Sequence, residues 1–286
     1  MLATELACAA IVVLYAFLRL RAPGANRAAV MARLALLACA GWVGEDSVIR
    51  AYGFYGYAAG WSLFLDRVPL LIVVIWPVVI DSAHVLARRL VSGSARVALT
   101  GGLIVLADAS LIEPIAVHAH LWSWSAENAR SIFDVPPIGI LGWGYFAAAA
   151  IARLELREER KLTAWGDAAV IAVAPLATHA ALVASWWCAF RWVVGEPSPW
   201  LFVAVAWCAA VPIALGAWRK RSIVPLGAVL SRAPGAAFFF ALLAATARDR
   251  LDLVLYALAF APPYLALVGA RHAEGTERAG ARRASS

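Results

Sequence analysis

Long apolar runs separated by short polar connections occupy the chain from its first residues to position 270. Runs of about 17 to 25 apolar residues are long enough to cross the hydrocarbon core of a bilayer as helices. Nine such segments are predicted, at 3–19, 28–49, 67–87, 96–116, 137–153, 165–190, 198–218, 223–247 and 251–270. The pattern therefore predicts an all-α, polytopic integral membrane protein with about eight or nine transmembrane helices.

The eighth segment is the least regular of the nine. Ser231-Arg232-Ala233-Pro234 interrupts its apolar run, so the segment is expected to be kinked or re-entrant. With nine helices, eighteen Arg and Lys residues fall on one side of the membrane and six on the other. With eight helices the division is seventeen against eight. Positively charged residues favour the cytoplasmic side, so nine helices with the N-terminus outside are predicted, and eight remain the alternative.

The composition agrees with a protein embedded in lipid, and a bacterial inner membrane is the expected location. Hydrophobic residues make up 63% of the chain and charged residues only 15%, against about 25% charged in soluble domains. Residues 1–271 are predicted to form one transmembrane domain, and the polar residues 272–286 a disordered tail. The net charge of +7 does not indicate nucleic-acid binding, because the basic residues cluster in the connections between apolar runs.

Three helices carry an ionisable residue at a similar depth. Glu45 and Asp108 each lie twelve residues beyond a basic flank, about 18 Å along a helix, and His179 lies at about 21 Å. Asp46 adjoins Glu45, and Glu113 is expected nearer the outer surface. A charge in mid-bilayer costs at least about 2.5 to 3.5 kcal/mol, so these residues indicate either polar contacts between helices or a functional site.

Other polar residues have simpler interpretations. A residue before proline disfavours the helical conformation, so Glu113-Pro114 is expected to mark a helix end. Asp81 and His84 share one helix face and predict a polar patch near the inner surface. His118 and His120 are expected to be hydrated at an outer helix end.

No metal and no cofactor are predicted. The chain has only five histidines, too few for the histidine clusters of membrane di-iron enzymes. It also lacks a Walker A sequence, a strand-preceded GxGxxG and a GxSxG elbow.

Tryptophan is abundant, with thirteen residues. Five of them lie near predicted helix ends and are expected mostly in the interfacial belts: Trp42, Trp61, Trp122, Trp124 and Trp143. The alternative is that such aromatic surfaces line a site for a flat, apolar, conjugated substrate.

The stretch GWVGEDSVIRAYGFYGYAAGWSLFLDRVPLLIVVIWPVV, residues 41–79, resembles a family of carotenoid-biosynthesis membrane proteins. This family includes carotenoid 1′,2′-hydratases and bisanhydrobacterioruberin hydratase. The family shows a glutamate after a Gly-rich helix, a tyrosine-rich loop ending in Y-x-Y, and a helix with VPLLI and a tryptophan. The matching residues here are Glu45, Tyr55, Tyr57, Pro69 and Trp76.

A second group of family motifs follows between 107 and 143. ADASLIEP, WSW and VPPIGILGW resemble the family's WD…DP, W-x-W and IPLSNFLGW, through Asp108, Pro114, Trp122, Trp124, Pro136, Gly142 and Trp143. Glu113 stands where the family has Asp, Gly139 stands where it has Asn, and the Pro-Phe-Gly before the tyrosines is missing. The resemblance covers about residues 40–150 and implies a divergent member.

The resemblance implies acid-catalysed hydration of a terminal C=C of an acyclic carotenoid. Such a reaction needs an acid that protonates the alkene and a base that orients water, and burial favours the neutral form of a carboxylic acid. Asp108 and Glu45 are the first candidates, followed by Glu113, Asp46 and His179. The aromatic residues Tyr55, Tyr57, Trp76, Trp122, Trp124 and Trp143 are the candidates for substrate binding.

Two other functions stay open at this point. A cyclase of carotenoid end groups would use the same acid and the same cationic intermediate. A transporter or lipid-binding protein would also place ionisable residues in mid-bilayer. A transporter is expected to have inverted repeats with paired broken helices, whereas only one segment here is broken.

Overall fold

The computed structural model describes residues 1–125, 131–160, 168–192, 197–220, 224 and 226–268. Within these ranges the predicted all-α, polytopic fold is confirmed, and eight helices are long and apolar enough to span a membrane. The helices are α1 Leu2–Leu20, α2 Arg27–Tyr52, α3 Leu70–Leu90, α4 Ser94–His118, α5 Pro137–Arg160, α6 Val170–Cys188, α7 Pro199–Lys220, α8 Leu226–Leu230, α9 Ala233–Thr246 and α10 Leu251–Leu258. The short strands are β1 Tyr55–Tyr57, β2 Phe64–Leu65, β3 Val68–Pro69 and β4 Trp122–Trp124.

The last span extends beyond α10 to Val268. The predicted polar tail, 272–286, lies outside the described residues.

The eighth predicted segment, 223–247, is not one continuous helix. It consists of α8 and α9, separated by a two-residue turn. Pro234 lies in the first turn of α9, where its missing N–H is tolerated, whereas it could not continue α8. The α8 end packs with Leu86 of α3, and at the α9 end the carbonyl of Thr246 lies 3.1 Å from Nε2 of His118. The broken segment therefore passes from one end of the bundle to the other.

The two ends of the bundle carry different side chains. One end, which we call the loop end, contains the connection 53–69 and strand β4. The opposite end contains Arg19, Arg33 and Arg88, and we call it the basic end. Glu5, at the start of α1, accepts a hydrogen bond from Ser62 Oγ at 2.6 Å, which places the start of the chain at the loop end.

The predicted polar patch of Asp81 and His84 lies toward the basic end. Asp81 accepts hydrogen bonds from Arg19 Nε at 2.6 Å and from Tyr15 Oη at 2.7 Å. His84 Nε2 lies 2.5 Å from a carboxylate oxygen of Glu155. These contacts join α1, α3 and α5, which gives the patch a structural role, although the buried His84 Nδ1 has no hydrogen-bond partner among the described residues.

Five helices form a closed ring that holds the centre of the molecule. Each of α2, α3, α4, α5 and α6 packs against the next, and α6 closes onto α2. Helix α1 packs on α3, α9 on α4, and α7 on α10. In the basic half the ring encloses a dry core that includes Leu37, Ile80, Val105 and Ile151. The buried glutamates Glu45 and Glu113 lie beyond this core, in the loop half.

Helices α4 and α5 approach each other closely because glycines face each other across the contact. A Cβ at Gly102 would lie 2.9 Å from the carbonyl oxygen of Gly144, so a larger residue there would force the backbones apart. Small residues at such contacts are typical of membrane helices. The close approach brings Glu113 of α4 within reach of Trp143 of α5.

Candidate functional site

Glu45 of α2 is buried inside the loop half of the ring. Its Oε2 accepts hydrogen bonds from the hydroxyls of Tyr55 and Tyr57, the latter at 3.1 Å, and its Oε1 accepts one from Trp76 Nε1 at 3.1 Å. All three donors are among the aromatic residues predicted to bind substrate. Within the described part of the chain, Glu45 thus accepts hydrogen bonds from neutral donors.

Glu113 of α4 has the same arrangement. Its Oε2 accepts hydrogen bonds from Nε1 of Trp122 at 2.8 Å and of Trp124 at 3.1 Å, and its Oε1 accepts one from Trp143 Nε1 at 2.9 Å. Only 3% of this residue is exposed. The prediction that Glu113 marks a helix end is wrong, because α4 continues through Pro114 to His118. The glutamate therefore points into the bundle and not toward the outer surface.

Two short strands bring the donors of both glutamates together. Helix α2 ends at Tyr52 and is capped by Gly53, whose φ of 62° is a left-handed conformation that suits glycine, and the chain then enters β1. Strand β1 pairs antiparallel with β4, with Tyr55 opposite Trp124 and Tyr57 opposite Trp122. Alternate residues of a strand share one face, so Y-x-Y and W-x-W each direct two donors to the same side.

Three aromatic pairs connect the two glutamates. The ring centroids are 4.7 Å apart for Tyr55 and Trp124, 5.8 Å for Tyr57 and Trp122, and 4.6 Å for Trp76 and Trp143. Each pair joins one donor to Glu45 with one donor to Glu113. The six rings and two glutamates therefore form one unit, which we call the glutamate pair site.

The site holds two buried acids, and no cation from the described residues pairs with either of them. An ionised carboxylate offers about four acceptor positions, and three donors leave each glutamate about one position for water or substrate. Burial raises the pKa of the Tyr55 and Tyr57 phenols well above the usual value, and the charge of Glu45 adds to this effect. Both phenols therefore stay protonated at neutral pH and available as donors.

The interfacial interpretation of the tryptophans fails for part of the set. Trp61 and Trp122 are only 4% and 6% exposed, and Trp61 Nε1 donates to the carbonyl of Leu121 at 3.1 Å. Burial of an indole with a matched acceptor is typical of a specific contact and not of a lipid headgroup belt.

Asp108 belongs to a different group, nearer the basic end. It is ion-paired with Arg232, which lies in the turn between α8 and α9, and it accepts a hydrogen bond from Tyr264 Oη at 3.3 Å. Arg232 Nη1 also donates to Ser82 Oγ at 2.6 Å. The sequence interpretation treated Arg232 only as an interruption of a helix and missed Tyr264 and Ser82. A charge inside a broken apolar run was the one signal available.

The remaining candidates lie apart from both groups. His179 of α6 contacts Ser47 Oγ at 2.9 Å and Tyr52 Oη at 2.8 Å through its two ring nitrogens. Asp46 is ion-paired with Arg50, with 2.6 Å between Oδ2 and Nε. The similar depths predicted for Glu45, Asp108 and His179 therefore do not make one cluster, because these residues lie in three separate hydrogen-bonded groups.

A cavity of about 1480 Å³ connects the glutamate pair site with Asp108 and Arg232. It is larger than the roughly 300 to 1,000 Å³ of pockets for drug-sized ligands. Its lining on α3 runs from Ile72 to Leu90, which is about 27 Å along a helix. Trp187 of α6 and Val205 of α7 line it while more than half exposed, so it reaches the lipid-facing surface there.

No cluster of three or more His, Cys, Asp or Glu residues suited to a metal ion occurs in the described ranges. The polar lining of the cavity instead comes mainly from carboxylates, phenols and indoles.

The family model described as carotenoid biosynthesis protein matches residues 2–212. The chain belongs to this carotenoid biosynthesis family. Neither the curated proteins nor the solved structures contain a match. The family region includes both glutamates and all six of their donors, whereas Arg232 and Tyr264 lie beyond it.

Gly139 explains one departure from the family motifs. A Cβ at Gly139 would lie 2.3 to 3.0 Å from three ring atoms of Trp124, so the indole occupies the space that a side chain would need. The asparagine that relatives are expected to have here would displace Trp124 in this chain. The glycine at position 139 therefore leaves the space that Trp124, a donor to Glu113, occupies.

Gly139→Ala is expected to displace Trp124 and weaken its hydrogen bond to Glu113. Overpacking of this kind costs about 1 to 3 kcal/mol of stability, although alanine by itself favours a helix over glycine. The free energy of unfolding in detergent measures the effect.

Gly142→Ala is the matched control, one turn further along α5. Its Cβ would have an ordinary contact of 3.6 Å with Leu182, so this variant is expected to be at least as stable as the wild type. Equal behaviour of the two variants would contradict the proposed role of Trp124.

Proposed function

We propose that this carotenoid-related membrane protein is a hydratase, which adds water to a terminal C=C of an acyclic carotenoid at the glutamate pair site. One observation carries the proposal. Two buried glutamates, each with three neutral donors, lie at one end of a long apolar cavity. Burying two acids without cations destabilises a membrane protein, so their retention favours a chemical role.

In the proposed reaction Glu113 is the acid and Glu45 the base. Glu113 gives its proton to the less substituted alkene carbon, and the double-bond electrons form the new C–H bond. The oxygen of a water molecule then forms a bond to the resulting tertiary cation, and Glu45 accepts the proton that this water loses. Water has then been added across the double bond, and one proton must return from Glu45 to Glu113 before the next turnover.

The aromatic rings suit the cationic intermediate. The faces of Trp and Tyr rings carry negative charge density and stabilise a nearby cation, most strongly in a dry site. Six rings surround the two glutamates, and Trp122 and Trp76 are almost fully buried. These rings exclude other nucleophiles, so a water molecule beside Glu45 is expected to react with the cation.

The different donors support this assignment of roles. A phenol hydroxyl both donates and accepts a proton, whereas an indole N–H only donates a hydrogen bond. Tyr55 and Tyr57 contact Glu45, so protons can pass between this residue and the loop end. The donors to Glu113 are indoles, which suits an acid whose proton goes to substrate.

Of the other candidates, Asp108 is assigned to binding, because Arg232 balances its charge and occupies its oxygen. Asp46 and His179 are assigned supporting positions around α2 and α6. The substrate is proposed to reach the cavity from the bilayer, between α6 and α7. The basic end is assigned to the cytoplasm of a bacterial inner membrane, with the N-terminus outside.

Expression of the chain in cells that accumulate lycopene tests the proposal directly. We expect new pigments whose mass exceeds that of lycopene by one or two water molecules, measured by chromatography and mass spectrometry. A new pigment of unchanged mass would instead indicate a cyclase. Unchanged pigments in cells that contain the folded protein, for lycopene and for a monocyclic substrate, would contradict enzymatic action on carotenoid ends.

A further inference from the structure

Arg232 lies in the wall of the cavity at a place the hydration chemistry does not use. The turn between α8 and α9 carries the arginine, and Asp108 beside it lies five residues before Glu113 on α4. Five residues correspond to about 7.5 Å along a helix, toward the basic end. Both Arg232 and Asp108 line the same cavity as the glutamate pair site.

The guanidinium group is held in place but not saturated. Its Nη1 donates to Ser82, its Nη2 to Asp108, and its carbon lies 5.9 Å from the centre of the Tyr264 ring. The side chain is only 10% exposed, and its buried Nε has no hydrogen-bond partner among the described residues. Because protein atoms enclose this Nε, a ligand oxygen would instead accept from the second N–H of Nη1 or Nη2, where Arg232 lines the cavity.

The charges of this group define the ligand that fits. Arg232 and Asp108 balance each other, so an anionic ligand would leave a net negative charge at membrane depth. A neutral acceptor, such as a hydroxyl or carbonyl oxygen, would satisfy the donor without that cost. A pure hydrocarbon offers no acceptor at all.

The positions of these residues relative to the family match also support a separate binding site. The family match ends at residue 212, so Asp108 is inside it while Arg232 and Tyr264 are outside. The C-terminal segments therefore add a polar group to the cavity without touching the two glutamates.

We propose that Arg232, with Asp108, Ser82 and Tyr264, forms a subsite that binds a neutral oxygen atom of an already oxygenated acyclic carotenoid. The inference rests on the proposed function only for the carotenoid nature of the ligand. It adds that the preferred substrate has passed through an earlier oxygen-introducing reaction, a hydration or an oxidation. Arg232 is then a specificity residue that positions one part of the substrate while the reacting end lies at the glutamates.

Quenching of tryptophan fluorescence measures the binding of pigments to the purified protein in lipid nanodiscs. The probes are lycopene and its hydroxylated and keto derivatives of the same chain length. A hydrogen bond from a charged donor corresponds to about tenfold or more in affinity, so at least one oxygenated probe is expected to bind at least tenfold more tightly than lycopene. Equal binding of all probes would overturn the subsite.

The double variant Asp108→Asn/Arg232→Gln removes both charges together and so avoids an unpaired charge. It is expected to bring the ratio of the two affinities close to one. The matched control Arg250→Gln/Asp252→Asn makes the same chemical change in a pair at the loop end, outside the cavity, and is expected to keep the wild-type ratio. A double variant at positions 108 and 232 that folds, by its unfolding midpoint, and keeps the preference would refute the assignment.

The two proposals fail in different assays. If no pigment gains water but the affinity ratio holds, hydration is refuted and the subsite stands. If pigments gain water but the ratio in the wild type is one, the subsite is refuted and hydration stands.

Discussion

Glu113→Gln is expected to lower the conversion of lycopene by about 100- to 10,000-fold, the usual contribution of a general acid. The amide has nearly the same shape as the acid but carries no transferable proton. Its oxygen can still accept from Trp122 and Trp124, whereas its NH2 group would face the N–H of Trp143. One unmatched donor costs about 1 to 3 kcal/mol, so the variant is expected to fold with reduced stability.

Two further variants separate proton donation from packing. Glu113→Asp keeps an acid and introduces the residue expected in relatives, but its shorter side chain reaches the indoles less well. It is expected to retain more activity than the glutamine variant. Glu158→Gln, at the partly exposed basic end, is the control and should convert lycopene at the wild-type rate. Full activity of Glu113→Gln would show that this glutamate is not the acid.

Arg232→Gln alone is expected to cost up to about 3 to 5 kcal/mol in the free energy of unfolding, because it leaves Asp108, whose side chain is only 17% exposed, without its cation. The double change Asp108→Asn/Arg232→Gln should recover more than half of this loss. Denaturant titration in detergent micelles measures both values. With the single variant Asp108→Asn added, the measurements form a double-mutant cycle that isolates the coupling between the two residues.

Arg250→Gln provides the comparison for this stability effect. Its partner Asp252 is close by, but the arginine is 36% exposed at the loop end. Exposed ion pairs contribute about 1 kcal/mol or less, so little change is expected. If Arg232→Gln were as mild as Arg250→Gln, Asp108 would have another compensating partner.

The helices were predictable from sequence because the bilayer requires long apolar runs. The end of α4 was not, because the preference of a residue before proline is weaker than the packing that carries the helix to His118. The donors to Glu45 and Glu113 were predicted as a set of aromatic residues through the family motifs. Their division between the two glutamates depends on the pairing of β1 with β4, which links residues far apart in sequence.

Depth alone was a poor guide to the partner of each acid. Counting residues from the basic flanks grouped Glu45 with Asp108 and His179, since the two acids each lie twelve residues beyond an arginine and His179 was expected at a similar depth. Rotation around the helix axis and the position of the α8–α9 turn decide the actual partners, and neither can be read from one sequence. Arg232 reaches Asp108 across 124 positions of the chain.

That separation fixes an order of events during synthesis. Trp122 and Trp124 follow Glu113 by 9 and 11 residues, so two of its donors leave the ribosome almost with it. Asp108 must wait for 124 further residues, which at ribosomal rates is about 6 to 25 s. The cation that neutralises Asp108 therefore arrives late, and a chain interrupted before residue 232 lacks it.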